Sequence, residues 1–93
     1  MTLSWSERAR QDLREALGFI ARDSPTAARR VQREIRQQVS NLARFPELGR
    51  EGLLVGTREL IFARLPYIAI YRLTDNGLEI LRFRHASRDE LEP

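Results

Sequence analysis

Partway along the chain the spacing of its apolar residues changes period, and that change limits the folds open to it. As far as Ala43 they recur at helical spacing, whereas from Gly56 onward they alternate. The last third holds three strand-like runs: Arg58 to Arg64, Tyr67 to Leu73 and Leu78 to His85. Between the last two, Asp75-Asn76-Gly77 is a strong hairpin signal, because these residue types accept the backbone angles of a tight β-connection. A sheet of such runs must bury one face, and the helical half is the only part of the chain able to cover it.

The helical half divides at Asp23-Ser24-Pro25. Before it, Leu3-Ser4-Trp5 reads as one brief strand, and a first helix spans about Glu7 to Arg22. Ser6 can cap this helix, with Ser4 and Glu7 as an alternative capping box. Ala9, Leu13, Ala16, Leu17 and Ile20 form its apolar stripe. Phe19 lies off the stripe and is expected to pack against the second helix. Gly18 falls on the outer face, at a cost of about 1 kcal/mol relative to alanine. Ser24 is a good N-cap for the second helix, and Pro25 occupies its first position, where a missing N–H does no harm. That helix runs to about Ala43, with Ala28, Val31, Ile35, Val39 and Leu42 inward. Arg29, Arg30, Arg33 and Arg36 point outward and read as a solvated helix back. The short link makes the two helices an antiparallel hairpin. Phe45 to Gly56 reads as a loop, punctuated by Pro46, Gly49, Gly52 and Gly56. The predicted architecture is α+β, in the order β-α-α-β-β-β: a helical hairpin on one face of a twisted, mostly antiparallel sheet, as one domain over residues 1–93.

Register decides which residues face the helices. If Asp75-Asn76-Gly77 is a three-residue loop with Gly77 left-handed, Ala69, Tyr71 and Leu73 share a face with Leu81, Phe83 and His85. Ile68, Ile70, Arg72, Ile80, Arg82 and Arg84 then form the other. A two-residue Asn76-Gly77 turn would instead set His85 beside Ile68 and Ile70. The first register is preferred because it gathers the arginines on one side.

A chain of 93 residues buries roughly 60–70% of the surface its unfolded form exposes, enough for one core. The lack of cysteine excludes disulfides and thiolate metal sites, and suits a reducing cytoplasm. No apolar run approaches the roughly 20 residues that span a bilayer, and the N-terminus lacks the order of a signal peptide. A cytoplasmic protein with no membrane partner is expected. One histidine rules out a two-histidine site, no metal-ligand spacing is present, and no glycine-rich phosphate loop follows a strand. No metal or cofactor is expected. The net charge of +3 is modest and argues against direct DNA binding by this chain. All 16 basic residues are arginine, which GC-rich coding explains, although guanidinium forks also suit carboxylates and phosphates. Residues 57–88 carry six arginines against three acids, while Asp89, Glu90 and Glu92 make the tail acidic.

Four further elements point to one family. They are Phe45-Pro46-Glu47-Leu48-Gly49-Arg50, Gly56-Thr57-Arg58-Glu59, Pro66-Tyr67, and His85-Ala86-Ser87-Arg88. Together with the helical half, from Trp5 to Arg88, the chain resembles the ParE/RelE superfamily of toxins from type II toxin–antitoxin pairs, closer to ParE. ParE-type toxins poison DNA gyrase, and RelE-type toxins cut mRNA on the ribosome. The resemblance implies a cognate antitoxin in either case. Cutting RNA through its 2′-hydroxyl needs a base, an acid and cations on the phosphate. The ribonucleases of this superfamily usually carry an arginine where Ile68 stands, and acid–base residues where this chain has Glu59 and Ile61. Their tails end in tyrosine or histidine-tyrosine, whereas this one ends Leu91-Glu92-Pro93. Arg88 alone matches a catalytic arginine by position; His85, Arg82, Arg84 and Tyr71 could form a different set. The resemblance therefore implies a gyrase-poisoning toxin, with an mRNA endoribonuclease or an inactive antitoxin-binding module as alternatives. Contacts with target or antitoxin are expected at Arg58, Arg72, Arg82, Arg84 and Arg88. An exposed apolar row of Ile68, Ile70 and Ile80 suits an acidic antitoxin segment adding a strand or laying a helix in a groove. Arg58 and Glu59 beside Arg64 and Arg72 are expected to form surface ion pairs worth under about 1 kcal/mol each. His85 is expected to be hydrogen-bonded at the sheet edge, and Tyr67 and Tyr71 to sit among aliphatics as core or edge aromatics.

Overall fold

The computed structural model describes residues 2–87; Arg88 and the acidic tail lie outside the described residues. Seven elements follow one another: β1 (Thr2–Trp5), α1 (Glu7–Asp23), α2 (Pro25–Arg44), β2 (Arg50–Glu51), β3 (Thr57–Ile61), β4 (Tyr67–Leu73) and β5 (Gly77–His85). Both helix starts follow the local chemistry: Ser6 Oγ accepts the Ala9 N–H and Ser24 Oγ accepts the Ala27 N–H, with Pro25 opening α2. The sheet order is β1-β5-β4-β3-β2. Only β1 runs parallel to its neighbour, β5, and the other pairs are antiparallel. Between hairpin and sheet lie Ala9, Ile35, Val39 and Leu42 of the helices and Leu60, Ala69, Tyr71, Leu78, Ile80 and Phe83 of the strands. Phe83 is the aromatic hub, stacked on Tyr67 at 4.9 Å and edge-on to Phe62 at 5.6 Å.

Several expectations are corrected. The segment from Phe45 to Gly56 is not all loop: Arg50 and Glu51 pair with Glu59 and Arg58 as a fifth strand, too short to leave a periodic signal. The strand expected to reach Arg64 stops at Ile61. Arg64 takes a left-handed φ of 62°, and Gln38 of α2 both donates to the Ala63 carbonyl and accepts the Ala63 N–H. Phe19 does not pack against α2; it is 70% exposed.

The expected register is half right. Ala69 pairs with Phe83, and these share a face with His85 as anticipated, His85 standing opposite Tyr67. The connection, however, contains only Asp75-Asn76, closed by the Thr74–Gly77 backbone pair, and Gly77 is not left-handed. A bulge then restores the outer register: Ile70 opposes Arg82 while Tyr71 opposes Ile80, leaving Leu81 as the extra residue. Ile80 is thereby turned into the core, fully buried, instead of joining Ile68 and Ile70 in an exposed row. The glycine at 77 answers to a different demand, because any Cβ there would fall on the Thr2 backbone of β1.

The same substitution should therefore have opposite signs at two positions. Gly77→Ala is expected to destabilise by about 2 kcal/mol or more through overpacking against β1. Gly18→Ala, in open space on helix α1, is expected to stabilise by about 0.5–1 kcal/mol. Equilibrium denaturation of the two variants checks both.

Candidate functional site

The described candidate residues fall into three places. At one end of the sheet the loop before β2 is clamped from below. Tyr71, fully buried, donates from its hydroxyl to the Pro46 carbonyl at 2.7 Å and accepts the Gly49 N–H at 2.9 Å. A Cβ on Gly49 would collide with this same hydroxyl and with the Glu59 carbonyl. Arg58 donates to the Gly49 carbonyl at 2.7 Å, and Arg50 grips Glu59 through Nε and Nη2. The expected ion-pair set is thus rearranged: Glu59 pairs with Arg50, Arg64 with Glu34 at 2.7 Å, and Arg58 with backbone carbonyls. Burial pushes the Tyr71 phenol above its ordinary value, opposed by the Gly49 hydrogen bond and the Arg58 charge; burial alone raises Tyr67.

On the sheet face away from the helices, Arg72 pairs with its cross-strand neighbour Glu79 at 3.0 Å. Ile61, Ile68 and Arg84 follow one another across that face on β3, β4 and β5.

The third place is a cleft of about 460 Å³ between α1 and the end of β5. It brings together Arg82, Arg84 and His85 from β5 with Asp12 and Phe19 from α1, over a floor that includes Tyr67 and Phe83. Arg82 is held in a two-pronged ion pair with Asp12, 2.8 Å from Nε to Oδ2 and 3.3 Å from Nη2 to Oδ1. Both side chains are largely buried. Removing either partner would strand the other charge at a cost of about 3–5 kcal/mol, so Arg82 holds the fold as well as lining the cleft. His85 Nδ1 lies 2.7 Å from Ser87 Oγ and accepts the Ser87 N–H at 3.2 Å. Its ring meets Tyr67 edge-on.

Asp12 and Phe19 were missed as site residues. Asp12 carries no sequence signal, since one acid on a helix flank looks like any other. Phe19 did carry one: a large aromatic off the apolar stripe. Among the described residues no group of three or more histidine, aspartate or glutamate side chains is placed to hold a metal ion, and no helix is long and apolar enough to cross a membrane.

The architecture is a helical hairpin over a five-stranded sheet with a cleft between α1 and the last strand. A model of the ParE toxin of type II toxin–antitoxin systems matches residues 3–90. Among curated proteins, the chain is 42% identical to one named "Putative toxin Y4kP" from Sinorhizobium fredii over 84 residues, 90% of this chain and 86% of that one. It is 38% identical over 85 residues to Toxin RelE2 of Caulobacter vibrioides, covering 90% and 93%. Among solved structures, the chromosomal ParDE toxin–antitoxin system from P. aeruginosa superposes with a TM-score of 0.82 at 27% identity, over 94% of this chain and 97% of that one. The chain belongs to the ParE toxin family, within the ParE/RelE superfamily, and membership implies a cognate antitoxin.

If Tyr71 serves as a clamp, Tyr71→Phe should cost about 1–3 kcal/mol, because the Gly49 N–H and the Pro46 carbonyl lose their buried partner. The alkaline limb follows from the raised phenols. Their contribution is complete below the ordinary value of 10.0 and is lost as pH rises past it. Absorbance at about 295 nm should show both phenols ionising above pH 10 in the folded protein, with stability falling over the same range.

Proposed function

We propose that this chain is a binding toxin that poisons DNA gyrase and is neutralised by its antitoxin. One observation carries the reading beyond family membership: of the described residues that could form an RNA-cleaving set (His85, Arg82, Arg84 and Tyr71), Tyr71 and Arg82 are already employed in holding the fold. Tyr71 is sealed in the core and Arg82 is gripped by Asp12. Ile68 stands where the ribonucleases of the superfamily place an arginine. Of the described candidates, His85 alone has a ring facing the cleft without a structural ion pair, and a single imidazole does not make an acid–base pair. A toxin that traps an enzyme needs a surface rather than a catalytic centre. The cytoplasm, where gyrase and antitoxin would be met, goes with this reading.

In this reading the antitoxin binds in the α1/β5 cleft. Phe19 offers an exposed aromatic on its rim, Tyr67 and Phe83 an apolar floor, and Arg8 and Arg84 cations for acidic side chains. That combination fits the apolar face of a partner helix flanked by carboxylates.

Purified, antitoxin-free protein should inhibit gyrase supercoiling and accumulate cleaved DNA. Unaffected gyrase together with mRNA cleavage on translating ribosomes would overturn the reading. For the antitoxin site, Phe19→Ala should leave stability within about 0.5 kcal/mol, since the ring is exposed. It should weaken antitoxin binding about tenfold, or ~1.4 kcal/mol. Arg84→Glu should weaken it as well; titration calorimetry with unchanged affinity for both variants would place the antitoxin elsewhere.

A further inference from the structure

The net charge of the chain hides where the charge sits. Helix α2 carries five arginines (29, 30, 33, 36 and 44) and one acid, Glu34, a balance of +4; with +3 for the whole chain, everything else sums to −1. Helix α1 is the control: four arginines and four acids, net zero, with Arg10 and Arg14 paired to Glu7. On α2 the single acid is taken by Arg64 of the β3–β4 connection. Among the described residues Arg30, Arg33 and Arg36 have no carboxylate within ion-pair distance, and Arg29 reaches only the Thr26 hydroxyl. The positive excess of the protein is therefore an exposed, unneutralised strip along one helix.

The spacing gives the strip a direction. Arg29, Arg33 and Arg36 recur at i, i+4 and i+7, so they share one side of α2 and extend over about 10 Å of its length. Gln37, Ser40 and Asn41 are the exposed uncharged residues beyond them. No large apolar residue is exposed anywhere between Pro25 and Arg44. The exposed large apolar side chains lie elsewhere, at Phe19, at Phe45 and Leu48, at the Leu53-Leu54-Val55 tip, at Ile61 and at Leu73. This distribution discriminates between polyanions. A protein partner is held by an apolar interface core with charges at its rim. A phosphate backbone needs cations and hydrogen-bond donors, and no apolar anchor.

We propose that the outer face of α2 is a sequence-independent contact for the phosphate backbone of duplex DNA. The inference rests on the gyrase reading in one respect: gyrase would present the DNA, so a contact of few charges can act at high local concentration. It separates the surfaces of the toxin, with the antitoxin in the α1/β5 cleft, where an apolar floor lies beside the cations, and DNA on the outer face of α2, where cations stand without one.

The test uses the whole antitoxin-free chain and fluorescence anisotropy with a labelled duplex of about 20 base pairs and arbitrary sequence. Three to four phosphate contacts predict a dissociation constant of about 10⁻⁴–10⁻⁶ M near physiological salt and a slope of log K against log salt of about −3. The triple substitution Arg29→Gln, Arg33→Gln and Arg36→Gln should lower affinity at low salt at least tenfold and flatten the slope to about −1. Glutamine matches arginine closely in helix propensity, so α2 should persist; an unchanged denaturation midpoint checks this, and the salt slope of the unmodified chain tests the idea independently of any variant. The proposal is overturned if the unmodified chain shows no binding at 50 mM salt, if the triple variant binds DNA equally well, or if an RNA duplex of equal length binds tenfold more tightly. Loss of antitoxin binding in the triple variant would also overturn it, by making the strip a protein interface. Because gyrase is absent from these measurements, a negative result leaves gyrase poisoning standing, and a failed gyrase assay leaves the DNA result standing.

Discussion

The structure turns on how the long last strand is covered. β5 runs from Gly77 to His85, but β1 pairs with it only as far as Ile80. Beyond that point the main-chain groups on this edge of β5 would face solvent or an unwanted strand. Helix α1 takes over from β1. Ser6 donates its backbone N–H to the Ile80 carbonyl and its hydroxyl to the Leu81 carbonyl, and Asp12 accepts the Phe83 N–H. A helix cap and one carboxylate thus finish a sheet edge. They also determine where α1 lies, and with it the cleft in which His85 and Arg84 meet Phe19.

The bulge at Leu81 belongs to the same arrangement. It turns Ile80 inward beneath the helices, while Arg82 beyond it reaches Asp12. Asp12 therefore joins edge covering to charge pairing, and the strand could not keep both with an uncharged residue there. At the far side of the sheet the problem is solved with other means. β2 covers only two residues of β3, and Gln38 serves the Ala63 backbone beyond it. The loop leading into β2 is fastened by the Tyr71 hydroxyl and Arg58.

This economy explains why so few candidate residues are available for chemistry. In a small domain each long polar side chain that reaches the interior satisfies a backbone group or a charge, since burying either alone is unfavourable. Tyr71, Arg58 and Arg82 are occupied in this way. What is left for partners is surface: the aromatic cleft by α1, the apolar hairpin tip, and the charged back of α2.

The two helices, their serine caps, the β4 strand and the helix-on-sheet class were legible in the sequence, because each depends on residues near in the chain. Capping, helical periodicity and β-alternation are local effects. The pairing of Ala69 with Phe83 followed too, since alternation carries across a hairpin. What sequence could not supply was decided between distant segments. β1 settles beside β5, so Gly77 is required by the Thr2 backbone rather than by a turn. The bulge at Leu81 moves Ile80 from surface to core. The Asp12–Arg82 pair joins residues 70 positions apart. Phe19 stays exposed because α2 does not cover that side of α1. Local propensity is set by each residue and its neighbours, but edge covering, register and the fate of a buried charge depend on which surfaces finally meet.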